Sequence, residues 1–202
     1  MSKSRKLRER VFKGVPDRWR PAAWGVLIDK CTGGSHRTSI ETLKQDYAAA
    51  LELPSSYDIQ IDLDVPRTIN GHILFKTRYG LGYVFQMVCQ IDYANSIYEF
   101  SQRSLFHVLH SFSLRCPECG YCQGMGPLAA TLLCYYEPAQ AYSVLVALHD
   151  CEAYSMHSIF QPGFPGLLEA IYIQERLVEK MLPGVYASFV SEVSLCFLPA
   201  GV

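Results

Sequence analysis

Apolar residues recur at three- and four-residue intervals along most of this chain, the spacing that lines one face of an α-helix. Leu105, Phe106, Val108, Leu109 and Phe112 follow it, with Arg103, His107 and His110 between them. Leu167, Leu168, Ile171, Leu177, Val178, Met181 and Leu182 repeat it, and Pro183-Gly184 supplies a stop. Over 38–53, Thr38-Ser39-Ile40-Glu41 has the spacing of a capping box. Lys44, Gln45 and the Ala48-Ala49-Ala50 run then favour helix. Trp19 to Ile28 is also amphipathic. The segment 81–100 is ambiguous: its aromatic and β-branched content allows a strand, while its length favours helix. Breaks fall at Gly33-Gly34-Ser35, Pro54, Pro66, Gly80, Pro117, Pro138 and Pro162–Gly166. No internal repeat or low-complexity linker interrupts the pattern. It predicts a single all-α domain.

Composition supports a globular chain. The sequence has 202 residues, half of them apolar and 18% charged, enough for one domain with a real core. A net charge of −1 gives no electrostatic case for nucleic acid. Basic residues do crowd the start: Lys3, Arg5, Lys6, Arg8, Arg10 and Lys13, opposed only by Glu9. This reads as a solvated helix or frayed end, with weak attraction to an anionic membrane face as the sharper alternative. The basic start is not followed by the apolar stretch of a secretory signal. The apolar stretch from Leu128 breaks at Glu137-Pro138, short of the roughly 18 residues of a spanning helix. The expected location is cytoplasmic, where eight cysteines stay mostly reduced. Cys31, Cys89, Cys134, Cys151 and Cys196 read as small buried residues.

Two segments carry candidate chemistry: Ile61-Asp62-Leu63-Asp64-Val65-Pro66-Arg67-Thr68 and Gly120-Tyr121-Cys122-Gln123-Gly124-Met125. Pro66 fixes its own backbone and turns Val65 away from helix, so Arg67 belongs to a loop or the first turn of an element. Asp64 would hold the guanidinium or cap a helix, and a surface ion pair is the plain alternative. Glycines around Gln123 allow close backbone approach, and a solvated first-turn residue is the plain alternative there. Arginine stabilises charge developing on a transferring phosphate, and a carboxamide orients an attacking water, so the pair suits phosphoryl transfer to water.

The chain resembles the TBC-domain GTPase-activating proteins, which act on Rab-type small GTPases. Gly14-Val15-Pro16 followed by Arg20-x-x-x-Trp24, then Ile61-x-x-Asp64-x-x-Arg67, then Tyr121-x-Gln123-Gly124-Met125 match three family motifs in order. The resemblance implies an all-helical fold and a dual-finger mechanism. Arg67 would stabilise charge on the γ- and β-phosphate oxygens, and Gln123 would orient the hydrolytic water. Arg20, Trp24, Asp64 and Tyr121 would support them. The partner would be a Rab-type GTPase in its GTP-bound form, in vesicle trafficking and intracellular protein transport. No cofactor of the chain's own is implied, because GTP and Mg²⁺ belong to the partner. Peripheral contact with endomembranes through the basic N-terminus fits this role.

Four departures from the family pattern shape further expectations. Gly126 stands where Asn is usual after Gln-Gly-Met, and would loosen the helix start. Ile69-Asn70-Gly71-His72 follows Thr68, where His-Pro or Phe-Pro is commoner. Residues 76–100 are longer and more apolar than the family's usual interval. After Phe189 the family's further helices do not follow. The chain therefore reads as a TBC-type domain over 1–189, incomplete at its C-terminus, with a divergent tail over 190–202. Apolar faces would then be exposed.

Two other classes compete. A non-catalytic Rab-binding or scaffold module would keep the fold without the activity. Cys116-Pro117-x-Cys119-Gly120 is a zinc-knuckle half-site, with Cys122, His107 and His110 nearby. Cys119 with Cys122 overlaps it and supplies no separate second half. A cysteine hydrolase on Cys122, with His149 or His157 as base, has no spacing in its favour.

Overall fold

The computed structural model describes residues 2–31, 35–72, 75, 102–154 and 156–196. All regular structure among them is helical. The ambiguous segment 81–100 lies outside the described residues, as do the side chains of Cys89 and Cys196.

The residues fall into two compact units, Met1–Met156 and His157–Val202. The first contains α1 (Ser2–Phe12), α2 (Arg20–Cys31), α3 (Ser35–Ala50), α4 (Asp58–Asp64), α5 (Gln102–Arg115), α6 (Met125–Leu133) and α7 (Pro138–Asp150). Short 3₁₀ turns cover Asp17–Trp19 and Val65–Arg67. Helix α5 is the hub, packing on α3, α4, α6, α7 and the Val65–Arg67 turn. The 3.6-residue period explains this: Leu105, Val108, Leu109 and Phe112 are almost wholly removed from water. Met125, Ala129, Ala130 and Leu133 of α6 and Ala141, Tyr142 and Leu145 of α7 are buried with them. Burying each large side chain of this kind contributes about 1.5–3 kcal/mol. Alanines at 129, 130 and 141 keep the helix axes close.

The termini follow local chemistry. Pro138 begins α7 directly after an extended Glu137, where its missing N–H costs nothing. At α4, the Ser55 N–H donates to Asp58 Oδ2 at 3.2 Å. Asp58 also meets His110 of α5, Nδ1 to Oδ1 at 2.5 Å, and His110 Nε2 lies 3.1 Å from the Ala50 carbonyl. This buried histidine ties the end of α3 and the start of α4 to the hub.

Three expectations are corrected. Helix α3 starts at Ser35 rather than at a Thr38 cap, so Thr38 lies within its first turns. Cys31, Cys134 and Cys151 are half-buried rather than buried, and among the described residues the buried thiol is Cys119. His110 is committed to Asp58 and Ala50 instead of the cysteine knuckle.

In the second unit, α8 (Met156–Phe160) starts at the boundary, followed by α9 (Pro165–Met181) and α10 (Pro183–Cys196). Pro183 both ends the preceding helix and opens α10, which runs unbroken across residue 189. Helices α9 and α10 pack on each other. The Tyr186 hydroxyl donates to Glu175 Oε1 at 3.0 Å, and Arg176 pairs with Glu175 and Glu179. No residue of α9 is buried; Leu168, Ile171, Tyr172, Leu177 and Met181 are all exposed.

Candidate functional site

Asp64 ends α4 and is buried, 4% exposed. The chain then tightens into the Val65–Arg67 turn, where Pro66 fixes the backbone. Thr68 locks the turn from behind: its N–H and its Oγ1 both donate to the Asp64 carbonyl, at 3.0 and 2.9 Å. Arg67 therefore projects from the end of a rigid turn, with its side chain 62% exposed. Its Nη2 pairs with Asp64 Oδ1.

The second oxygen of Asp64 serves the other segment. The Tyr121 hydroxyl donates to Asp64 Oδ2 at 2.8 Å. Burial and the adjacent carboxylate push the Tyr121 pKa up, so the phenol keeps its proton and remains a donor. One buried carboxylate thus ties the arginine turn to the strip that carries Gln123, and Gln123 itself is exposed.

A second contact sets the spacing. Gly126, in the first turn of α6, is buried against Thr68, and a Cβ there would lie 2.9 Å from Thr68 Oγ1. The glycine is a close-approach residue, with no room for a side chain against Thr68. Gly124, just before α6, has φ +113°. Gly120 has φ +54°, and a Cβ on it would fall 2.2 Å from the Tyr57 ring. The two glycines hold the Tyr121–Gln123 strip in a conformation that side chains resist. Beside the arginine turn lies a cleft of about 350 Å³ lined by Asp62, Pro66, Arg103, Phe106 and His107. Burial, aided by Arg103 and His110, lowers the His107 pKa.

Arg20 and Trp24 act elsewhere. Arg20 donates to the Val15 carbonyl at 3.1 Å and to Asp17 Oδ1 at 2.9 Å, and it also bonds the Tyr135 hydroxyl. Trp24 packs edge-on against Tyr135, centroids 5.0 Å apart. Both brace α2 against the end of α6, and neither contacts Asp64 in the described bonds.

The cysteine knuckle sits just before the glutamine strip. Cys116 follows α5, and the Gly120 N–H closes the turn onto the Cys116 carbonyl at 2.7 Å. His149 of α7 reaches this turn, with Nε2 3.5 Å from Cys119 Sγ. Nothing in its spacing announced it, because thirty residues separate it from Cys119. Burial, with Cys116 alongside, pushes the Cys119 thiol up to about 12. The Cys122 thiol is also raised by burial and donates to the Gln123 carbonyl at 3.3 Å, the reverse of what a nucleophile needs.

A family model, the Rab-GTPase-TBC domain, matches residues 86–199. The chain belongs to this family. Similar curated proteins agree. The TBC domain-containing protein C1778.09 of Schizosaccharomyces pombe is 41% identical over 83% of this TBC chain and 34% of its own length. The GTPase-activating protein GYP5 of Eremothecium gossypii is 30% identical, over 91% and 18%. The human Ecotropic viral integration site 5 protein homolog is 27% identical, over 94% and 20%. The TBC chain therefore spans about a third or less of these relatives. Among solved structures, the Ypt/Rab-GAP domain of GYP1P superposes with a TM-score of 0.54 at 21% identity, covering 93% of this chain and 63% of that one. That likeness establishes the all-α TBC fold. No helix among the described residues is long and apolar enough to cross a membrane.

Proposed function

We propose that this TBC domain accelerates GTP hydrolysis by a Rab-type GTPase, with Arg67 and Gln123 supplied in trans. The reading is supported above all by Asp64, whose two oxygens hold the Arg67 turn and the Tyr121 strip together. Both proposed fingers are exposed while their holders are buried, as side chains that enter another protein's site require. Arg67 would meet charge developing on the phosphate oxygens of bound GTP, and Gln123 would donate to and accept from the attacking water. An arginine supplied in trans is worth about 10³–10⁵ in rate, or roughly 4–7 kcal/mol of barrier. GTP and Mg²⁺ would arrive with the partner in its GTP-bound form. The role would be in vesicle trafficking and intracellular protein transport, on the cytoplasmic face of endomembranes. The basic helix α1, with Lys6, Arg8 and Arg10 exposed, would add weak attraction to anionic lipid.

Single-turnover GTP hydrolysis across a panel of GTP-loaded Rab proteins tests this. The expected result is acceleration of at least one Rab, lost in Arg67→Ala and Gln123→Ala. If the unaltered chain and both variants behave alike on every Rab, the catalytic reading fails. Binding without acceleration would identify a Rab-binding module instead.

A further inference from the structure

We propose that Cys116, Cys119 and His149 form a zinc site that pins the turn leading into Gln123. The inference is independent of the GTPase-activating role. Two helix ends converge here: Cys116 and Cys119 lie on the turn that follows α5, and His149 is in the last turn of α7. Their ligand atoms, two Sγ and one imidazole nitrogen, all lie within 4.8 Å of one another. Zinc bound by thiolate at about 2.3 Å and imidazole at about 2.0–2.1 Å in a tetrahedron sets S···N edges of roughly 3.5 Å. The Cys119 Sγ to His149 Nε2 distance is 3.5 Å.

The surroundings orient the ligands as a metal needs. His149 Nδ1 meets Asp150 Oδ1 at 2.7 Å, so the carboxylate fixes the proton on Nδ1. Nε2, the nitrogen that faces the thiols, is left with its lone pair, the arrangement seen around zinc-bound histidines. Phe112 packs edge-on against the imidazole, centroids 5.2 Å apart, and fixes the ring plane. The Gly120 N–H to Cys116 carbonyl bond curls the Cys-Pro-x-Cys-Gly turn so that both thiols share one side. Cys119 and His149 are buried, while half-buried Cys116 gives a path of entry.

Donor chemistry selects the ion. Two thiolates and an imidazole favour zinc over hard cations such as Mg²⁺ or Ca²⁺. On binding, each thiol releases its proton to solvent, and two thiolates balance the charge of Zn²⁺. Three protein ligands leave one tetrahedral position, which water would fill. The Cys122 of the sequence-level zinc reading is not in the cluster, and His149 takes the place given there to His107 and His110. Because Cys119 lies two residues before Tyr121, the ion would fix where the glutamine strip leaves the core.

The test uses the full chain, reduced and purified without added metal. Elemental analysis is expected to give about one zinc per chain. Cobalt added to the chelator-stripped protein is expected to give thiolate-to-metal charge transfer and the visible bands of a tetrahedral site. Cys116→Ser and His149→Gln should abolish these signals, and Cys134→Ser should leave them intact. Chelator should lower the melting temperature of the unaltered chain, a readout that needs no variant to fold. Negligible zinc together with no charge-transfer band on cobalt addition to the unaltered chain would overturn the proposal. So would cobalt spectra unchanged in Cys116→Ser.

Discussion

The Tyr121 hydroxyl and the Asp64 carboxylate join across 57 positions of sequence, at 2.8 Å and out of contact with water. A hydrogen bond to a buried charge is worth about 1.5–3 kcal/mol. Tyr121→Phe should lower unfolding free energy by that order, read as a lower urea midpoint. Asp64→Ala should cost more, because it leaves the Tyr121 phenol without its acceptor. The double variant should fall short of the sum, since the two residues share one interaction.

Gln123 should separate from these holders in a stability assay, while Arg67 is coupled to Asp64. Gln123 is exposed, so Gln123→Ala should shift the urea midpoint by no more than about 0.5 kcal/mol in free energy. Arg67→Ala leaves the buried Asp64 Oδ1 without its partner and should cost about 1–3 kcal/mol. In single-turnover hydrolysis Arg67→Ala should lose about 10³-fold or more of the acceleration. A stability loss above about 1 kcal/mol in Gln123→Ala would show that this residue is structural.

Gly126→Ala should destabilise by about 1–3 kcal/mol, the range for overpacking a tight contact. The added methyl would meet Thr68 Oγ1 at 2.9 Å and Cγ2 at 3.3 Å. Thr68→Ala in the same chain should recover part of that loss, and calorimetry of the four proteins gives the coupling.

Gly120→Ala should be worse and only partly rescued by trimming Tyr57. The Cβ would strike the Tyr57 ring, and φ +54° remains unfavourable to any side chain. The backbone contribution alone is of order 1–3 kcal/mol. Thermal unfolding of Gly120→Ala and of Gly120→Ala with Tyr57→Ala separates the steric part from the backbone part.

His107 gives a pH signature. Its folded pKa is lowered, chiefly by burial. As pH falls, the unfolded chain takes up the proton first, near its ordinary value of about 6.5. Below that value the unfolded state binds more protons, so stability drops until pH passes the folded pKa. His107→Gln should flatten this part of the stability–pH curve, measured by urea titration between about pH 7.5 and 5.

Much of the fold was legible in local pattern. The residues 105–112 and 167–182 repeat at helical spacing; α5 covers the first and α9 the second up to Met181. Apolar period does not say what covers a face, however. The same kind of stripe is buried in α5 and exposed in α9. The α3 start was missed because a capping-box spacing can occur inside a helix, where its hydroxyl has no free N–H to accept from.

By itself the sequence determined the helical class and the glycine-flanked setting of Gln123. These depend on backbone preferences and periods that act within a few residues. It misjudged Val65, which stays helical (φ −55°, ψ −47°) before Pro66 and leads α4 straight into the turn that carries Arg67. Only the tertiary structure decided that Asp64 joins Arg67 to Tyr121, that Gly126 is a contact with Thr68, and that the Cys116–Cys119 turn meets His149. Each of these joins residues far apart in the chain, and α5, packed on α3, α4, α6 and α7, sets the distances between them. Such distances follow from how side-chain volumes fill a core, which no local spacing encodes.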